Sequence, residues 1–281
     1  MDPDTPGTRD EPITPTTPTA PTAPATVAAA LARLYDLDLL VEPGDLDLYL
    51  ALGARAEGPI VELAVGTGRV AVPLATAGHR VTGVDIDPAM LARAEARADG
   101  AGQGTAGRLR LVQGDLFATR PTDEATYGLA ILALNSILLL GGPREQRRAI
   151  GVLAGLLAPG GIAVVDAWQP LAEDLVRFDG RLSLEWLRRD AATGSDILKL
   201  AAAWYDGATR TVTLTTIFDE AAPGEQPVRW TRSDALHLIS ADELRAHAED
   251  AGLVVEVVAG DYELTPLGPG ADRAILVARR P

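Results

Sequence analysis

The chain has 281 residues, 47% of them apolar, which is enough for one large domain with an insertion rather than two full domains. A formal charge of −14 and a pI near 4.6 argue against an extended nucleic-acid surface, which needs clustered Lys and Arg. Cysteine is absent and only three histidines occur, which excludes disulfides, thiolate metal sites and Cys nucleophiles and disfavours a His-rich metal site.

Residues 1–25 are rich in Pro, Thr and Ala, a composition that predicts a disordered tail, and they lack the basic and apolar segments of a signal peptide. A helical pattern begins at Thr26 (Val27, Leu31, Leu34) and runs into Tyr35-Asp36; a second amphipathic segment spans Asp45 to Arg55. Pro59 then introduces a short apolar run, Ile60 to Val65, broken only by Glu62, as expected of a strand buried in a parallel sheet. Gly66-Thr67-Gly68 follows directly, ahead of a helical pattern through Val70, Val72 and Leu74. Strand, glycine turn and helix open a nucleotide-binding βαβ unit, because glycine lets a ligand approach the backbone and the helix start offers unpaired N–H groups. Gly66 to Ala71 also satisfies the dinucleotide form G-x-G-x-x-G/A, so an NAD reading stands beside any other. Glu62 separates the two: a carboxylate there suits a positively charged ligand group and is a poor neighbour for a pyrophosphate.

Arg80 to Val84 form a second strand ending in Asp85, placed to accept from both ribose hydroxyls. Asp87-Pro88 opens a helix, with Asp87 as N-cap and Pro88 at the first helical position. Residues 99–108 read as a loop, and Arg108 to Gln113 as a third strand with Gly114-Asp115-Leu116 at its end. Tyr127 to Leu134 is a fourth strand leading into Asn135-Ser136. The most apolar run, Leu129 to Leu140, is too short to span a bilayer. A helix over Pro143 to Leu157 and a Pro159-Gly160-Gly161 turn precede a fifth strand, Ile162 to Trp168.

Residues 169–239 change character: alternating runs near 182–188, 197–205, 209–218 and 228–239, with turns at Asp206-Gly207 and Pro223-Gly224, predict an antiparallel β insertion. It carries Trp186, Trp204, Tyr205 and Trp230. Ser240 to Glu243 is a capping box opening a helix to Ala251, and Gly252–Gly260 and Ala271–Arg279 give two closing strands.

Glu62, the glycine turn, the phrase Val84-Asp85-Ile86-Asp87-Pro88 and the Pro-Gly-Gly turn together resemble the class I S-adenosylmethionine-dependent methyltransferases, with Ala64 where their first motif has its leading glycine. The resemblance covers roughly 27–280 and implies an α/β, Rossmann-like fold. A seven-stranded, mostly parallel sheet would carry helices on both faces, with an antiparallel β lid inserted after strand five. Residues 26–168 would form the N-terminal helices and cofactor-binding core, 169–239 the lid, and 240–281 the last helix and closing hairpin.

The resemblance further implies S-adenosylmethionine as cofactor, held by Tyr35, Glu62, Ala64, Gly66, Gly68, Asp85, Ile86, Met90, Asp115, Leu116, Ala133 and Leu134. Tyr49 is a second tyrosine that could reach its methionine end. The acceptor would be a small molecule methylated on N or O under the lid, with neither nucleic acid nor membrane as partner. A cytoplasmic protein is expected, and a homodimer is left open. His237, alternating with apolar residues on a lid strand, is the one candidate base, its other reading being a half-buried histidine bonded to backbone. An NAD-dependent oxidoreductase and a non-catalytic cofactor-binding protein are the alternatives.

Overall fold

The computed structural model describes residues 27–41, 43–121 and 126–281, so the expected tail at 1–25 lies outside the described residues. Two helices lead, α1 (Val27–Asp38) and α2 (Leu46–Arg55). The alternating half follows: β1 (Ile60–Leu63), α3 (Ala71–Thr76), β2 (Val81–Asp85), α4 (Pro88–Gly100), a short α5 (Gln103–Ala106), β3 (Leu109–Gln113), β4 (Tyr127–Leu132), α6 (Pro143–Leu156) and β5 (Leu157–Trp168). Helix α7 (Ala172–Arg177) leads to the lid strands β6 (Asp179–Arg189), β7 (Asp196–Asp206), β8 (Thr211–Ala221) and β9 (Val228–His237). Helix α8 (Ala241–Asp250), β10 (Val254–Ala259) and β11 (Arg273–Arg279) close the chain.

The main sheet runs β10-β11-β5-β4-β1-β2-β3. Its strands are parallel except β11, which lies antiparallel to both β5 and β10. The order reverses between β1 and β4, and at such a switch point the crevice beyond the strand carboxyl ends is open to a ligand. Both faces are covered, so β1 and β4 are buried at every position, as parallel strands require. On one face Val61, Leu63, Ala163 and Val165 pack against α6 and α8; on the other, Ile60, Ile131, Val164 and Ile275 pack against α2 and α3. Alternation therefore puts Glu62, Asp166 and Arg273, at the crevice ends of β1, β5 and β11, on the α2 side.

The lid is a separate antiparallel sheet, β6-β7-β8-β9. Its inner face packs on α1 through Ile197 and Phe218 against Leu34 and Leu37, with Trp186 and Trp230 at the edge of that cluster. Ion pairs fasten α1 on both sides. Arg33 pairs with Asp190 and Glu220 of the lid, Asp38 with Lys199, and Asp36 with Arg93 and Arg97 of α4. Local details differ from expectation in three places. Strand β5 begins at Leu157 and runs through the Pro-Gly-Gly segment, where Gly160 takes φ +80°. Residues 103–106 close one helical turn inside the expected loop, and α7 was not anticipated.

Candidate functional site

The glycine loop leaves β1 with Ala64 at φ 55°, Gly66 at 55° and Gly68 at 75°. A Cβ added at Gly66 would meet nothing within 4 Å, whereas one at Gly68 would press on Val72 and Ala94 at 3.0 and 3.1 Å. Gly66 thus keeps backbone open toward the crevice, and Gly68 lets α3 and α4 approach. Asp85, at the end of β2, accepts from the Gly66 amide at 2.8 Å and from the Asp87 amide at 2.9 Å. It fixes the loop while remaining half-buried at the crevice. Next to it Ile86 is 67% exposed, an apolar side chain without a protein cover. Asp87 caps α4 by accepting from Ala89. At the end of β3, Asp115 accepts from the Phe117 amide at 2.8 Å and is otherwise exposed, while the Leu116 side chain belongs to the core.

Under α2 the crevice becomes polar and dry. Glu62 is 3% exposed, and its Oε2 has no hydrogen-bond partner. Burial pushes its carboxyl up to about 8, against the pull of Arg69 and the Ala71 amide. Arg69 does not neutralise it directly, because its guanidinium is held bidentate by the fully buried Asp45, 2.6 Å on each arm. The Tyr49 phenol is fully buried and also unbonded, and burial beside Asp166 raises it well above its ordinary value. Tyr35 of α1 lies in the same neighbourhood, raised by burial with Arg69 and Glu62 about it. A buried polar atom with no partner costs free energy unless something else supplies the bond, which leaves Glu62 and Tyr49 each able to take one more hydrogen bond.

Across the switch point, the chain after β4 turns through Leu134 (φ 43°) and Asn135 (φ 65°). The Ala133 carbonyl accepts from the Ser136 amide at 3.1 Å, so one of its lone pairs is already used. Beyond this turn opens a cleft of about 280 Å³, lined by Tyr35 and Asp38 of α1, Leu134 to Ser136, and Lys199, Thr216, Phe218, Arg232, Asp234 and Leu236 of the lid. It continues past Lys199, Leu214 and Thr216 into an outer trough of about 600 Å³ bounded by α7, β6 and β7. Two ion pairs furnish the cleft, Lys199 with Asp38 at 2.6 Å and Arg232 with Asp234 at 2.6 Å.

The structure gathers Tyr35, Glu62, Ala64, Gly66, Asp85, Ala133 and Leu134 around the switch point, with Ile86, Met90, Asp115 and Leu116 following the ends of β2 and β3. His237 is not among them. On β9 the cleft is lined by Arg232, Asp234 and Leu236, so alternation turns His237 to the other face of the sheet, where its Nδ1 lies 3.1 Å from the Thr211 hydroxyl. The expected base therefore does not line the cleft. The lid tryptophans do not line the cleft either. Trp186 and Trp230 brace α1 and bond Asp38 and Glu220, and Trp204 is 58% exposed on the outer face. Sequence reading missed Asp45, Asp166, Tyr262 and Arg273. The one signal for Asp166 was an acid in an otherwise apolar strand, the same signature that singled out Glu62.

A methyltransferase-domain family model matches residues 60–161. The CcbJ methyltransferase of Streptomyces caelestis is 26% identical with a TM-score of 0.72, over 85% of this chain and 96% of that one. The sugar N-methyltransferase KedS8 of a Streptoalloteichus species shares the fold at 19% identity and a TM-score of 0.68, over 96% of this chain and 99% of that one. An uncharacterised protein of Mycobacterium tuberculosis is 32% identical over 47% of this chain and 45% of its own length, so the match spans about half of that relative. Residues 60–161 thus match a methyltransferase domain, and the chain as a whole shares the fold of the CcbJ methyltransferase.

Proposed function

We propose that this chain transfers the methyl group of S-adenosylmethionine to an amine nitrogen of a small molecule. The carrying observation is the cleft beside the Leu134–Asn135 turn, whose polar lining is Tyr35, Asn135, Ser136, Thr216 and the pairs Asp38–Lys199 and Arg232–Asp234, with no imidazole among the described lining residues. A hydroxyl acceptor needs a base to raise its nucleophilicity before it attacks, whereas a neutral amine attacks with its own lone pair and only afterwards releases a proton, which a carboxylate can accept. Asp234 and Asp38 can take that proton. The similarity in fold to a sugar N-methyltransferase supports the same reading.

The residues present fit the cofactor. Glu62 Oε2, buried and unbonded, suits the ammonium of a methionine moiety, and Tyr49 offers a second free polar atom beside it. Gly66 leaves room for the ligand at the loop, Asp85 accepts from ribose hydroxyls, and Ile86 with Met90 would cover the adenine, whose edge meets Asp115 and the Leu116 amide. The Ala133 and Leu134 carbonyls and Tyr35 complete the methionine end. When bound, S-adenosylmethionine supplies a methyl group already activated by a sulfonium. The chain's own task is then to orient the amine through the two ion pairs, to exclude water under α1 and the lid, and to receive the proton. A phosphate-bearing dinucleotide would set a pyrophosphate near Glu62, and like charge opposes that. Among the described residues no helix is long and apolar enough to cross a membrane. We take the reaction to be cytoplasmic and the further partner to be a second copy of the chain.

Mass spectrometry after incubation with S-adenosylmethionine and either an amino sugar or its hydroxyl analogue tests the proposal. One methyl gained by the amine alone supports it. Methylation of the hydroxyl analogue alone overturns the nitrogen assignment, and tighter binding of NAD than of S-adenosylhomocysteine overturns the cofactor.

A further inference from the structure

Leu134 and Asn135 are consecutive non-glycine residues in the left-handed region, a conformation that persists only when its surroundings impose it. What imposes it here comes from the far end of the chain. Asp166, fully buried at the carboxyl end of β5, accepts from the Leu134 amide at 3.2 Å through Oδ2, and its own carbonyl accepts from the Asn135 amide at 3.1 Å. The same Oδ2 accepts from the Tyr262 hydroxyl at 3.1 Å, while Oδ1 accepts from Arg273 Nε at 2.8 Å and Nη2 at 2.5 Å. Arg273 Nη2 also reaches Asn135 Oδ1 at 3.1 Å, which in turn accepts from the Trp168 amide at 2.7 Å. The guanidinium lies 5.1 Å from the Tyr262 ring centroid, so the ring holds the arginine as the arginine holds the turn.

The sheet does not require this arrangement. Strands β5 and β11 pair backbone to backbone over seven residues without it, and Tyr262 sits in the β10–β11 connection, outside any strand. What the network does determine is the direction of the turn. Leu134 and Asn135 both line the cleft proposed for the acceptor, and their backbone is also the wall of the cofactor crevice at the switch point. A small rotation of this turn would move one ligand relative to the other, and methyl transfer is sensitive to such misplacement because its reacting atoms must lie in line.

We propose that Arg273 and Tyr262, acting through Asp166, are positioning residues that hold the Leu134–Asn135 turn and so set the alignment of the two substrates. The inference rests on the methyltransferase reading for its consequence and on the hydrogen-bond geometry for its existence. Removing Arg273 outright leaves Asp166 buried and short of a counter-charge, a change that can unfold the protein. The informative variants are therefore Arg273→Lys, which keeps the charge and loses the fork, and Tyr262→Phe, which keeps the ring and loses one donor.

In both, amide hydrogen exchange of the peptide containing residues 133–136 should quicken several-fold while peptides from α8 and β2 stay as in the unaltered chain. S-adenosylhomocysteine affinity by calorimetry should stay within about threefold. With an amino sugar as acceptor, kcat should fall more than KM for either substrate rises, because alignment rather than occupancy is lost. Unchanged exchange at 133–136 in both variants overturns the proposal, as does a kcat equal to that of the unaltered chain. Should the unaltered chain bind no S-adenosylhomocysteine, the cofactor reading fails, and the exchange arm still decides whether Arg273 and Tyr262 hold the turn.

Discussion

Three side chains at the glycine loop carry separable consequences. Glu62 has a folded pKa of about 8 against an ordinary 4.5, raised chiefly by burial. Because the folded value lies above the unfolded one, its contribution to stability is complete below about pH 4.5 and is lost as the pH rises through about 8, a difference on the order of 5 kcal/mol. Glu62→Gln should therefore melt above the unaltered ligand-free chain at about pH 9, with the gap closing toward acid, and should bind S-adenosylhomocysteine less well at every pH, since an amide cannot match an ammonium. Equal melting curves at alkaline pH would remove the buried charge as the cause. Asp85 carries two loop amides besides any ribose; Asp85→Ala should weaken S-adenosylhomocysteine by at least about tenfold in calorimetry, and unchanged affinity in a folded variant would take it out of the site. Ala64 holds φ 55° with a Cβ. That conformation costs an L-residue about 1–2 kcal/mol, part of which glycine returns as unfolded-state entropy. Ala64→Gly is expected to raise the melting temperature by roughly 2–4 °C. A lower value would mean that the Ala64 methyl packs usefully enough to offset its strain.

At the scale of elements, the lid strands direct alternate residues to the cleft and to the outside, and this divides their roles. Arg232 and Asp234 face the cleft as a pair, half-buried and remote in sequence from the glycine loop. Asp234→Asn should raise KM for the amine acceptor or lower kcat by about tenfold, consistent with the loss of one general-base contact, and should leave S-adenosylhomocysteine affinity within about twofold. A matching loss of cofactor affinity would place Asp234 at the wrong ligand. The elements themselves were readable in the sequence because each carries a local signal. Examples are the buried apolar run before Gly66, the Asp87-Pro88 helix start, the Ser240–Glu243 capping box, and the four alternating runs of the lid. The face of His237 was not readable. A period of two says which residues share a side, but only the pairing of Thr211 with His237 and the docking of β9 on α1 say which side meets the cleft. The turn clamp was hidden for a different reason. Asp166 bonds partners 96 and 107 residues away, and a bond of that span leaves no periodicity behind. Asp45, in sequence only the first residue of an amphipathic segment, precedes α2, yet its side chain makes no cap bond and binds Arg69 instead.

For the whole molecule, the most apolar exposed surface on the lid is its outer face. Leu182, Leu184 and Leu187 of β6 pair with Ala202, Leu200 and Leu198 of β7 and point with them away from the cleft. Leu182, Leu184, Leu187 and Trp204 are 53%, 62%, 68% and 58% exposed, so the apolar side chains form one patch on an otherwise acidic chain of net charge −14. A contiguous apolar patch of this kind suits an association surface, and because the like charge of two copies opposes their approach, a self-contact would have to be carried by the burial of these apolar side chains. A two-fold axis through the patch would set β6 against β6 of a second copy, burying the leucines of both. Sedimentation of the full chain should then give twice the 29.4 kDa of one copy. Leu184→Glu, which places a charge in the middle of the patch and touches neither α1 nor the cleft, should give 29.4 kDa with an unaltered melting curve at low concentration. Its S-adenosylhomocysteine affinity should be unchanged, since the crevice lies on the other side of the lid. A single copy for the unaltered chain at micromolar concentration would leave the patch without a partner of its own kind, and a dimer that survives Leu184→Glu would move the two-fold axis to another face.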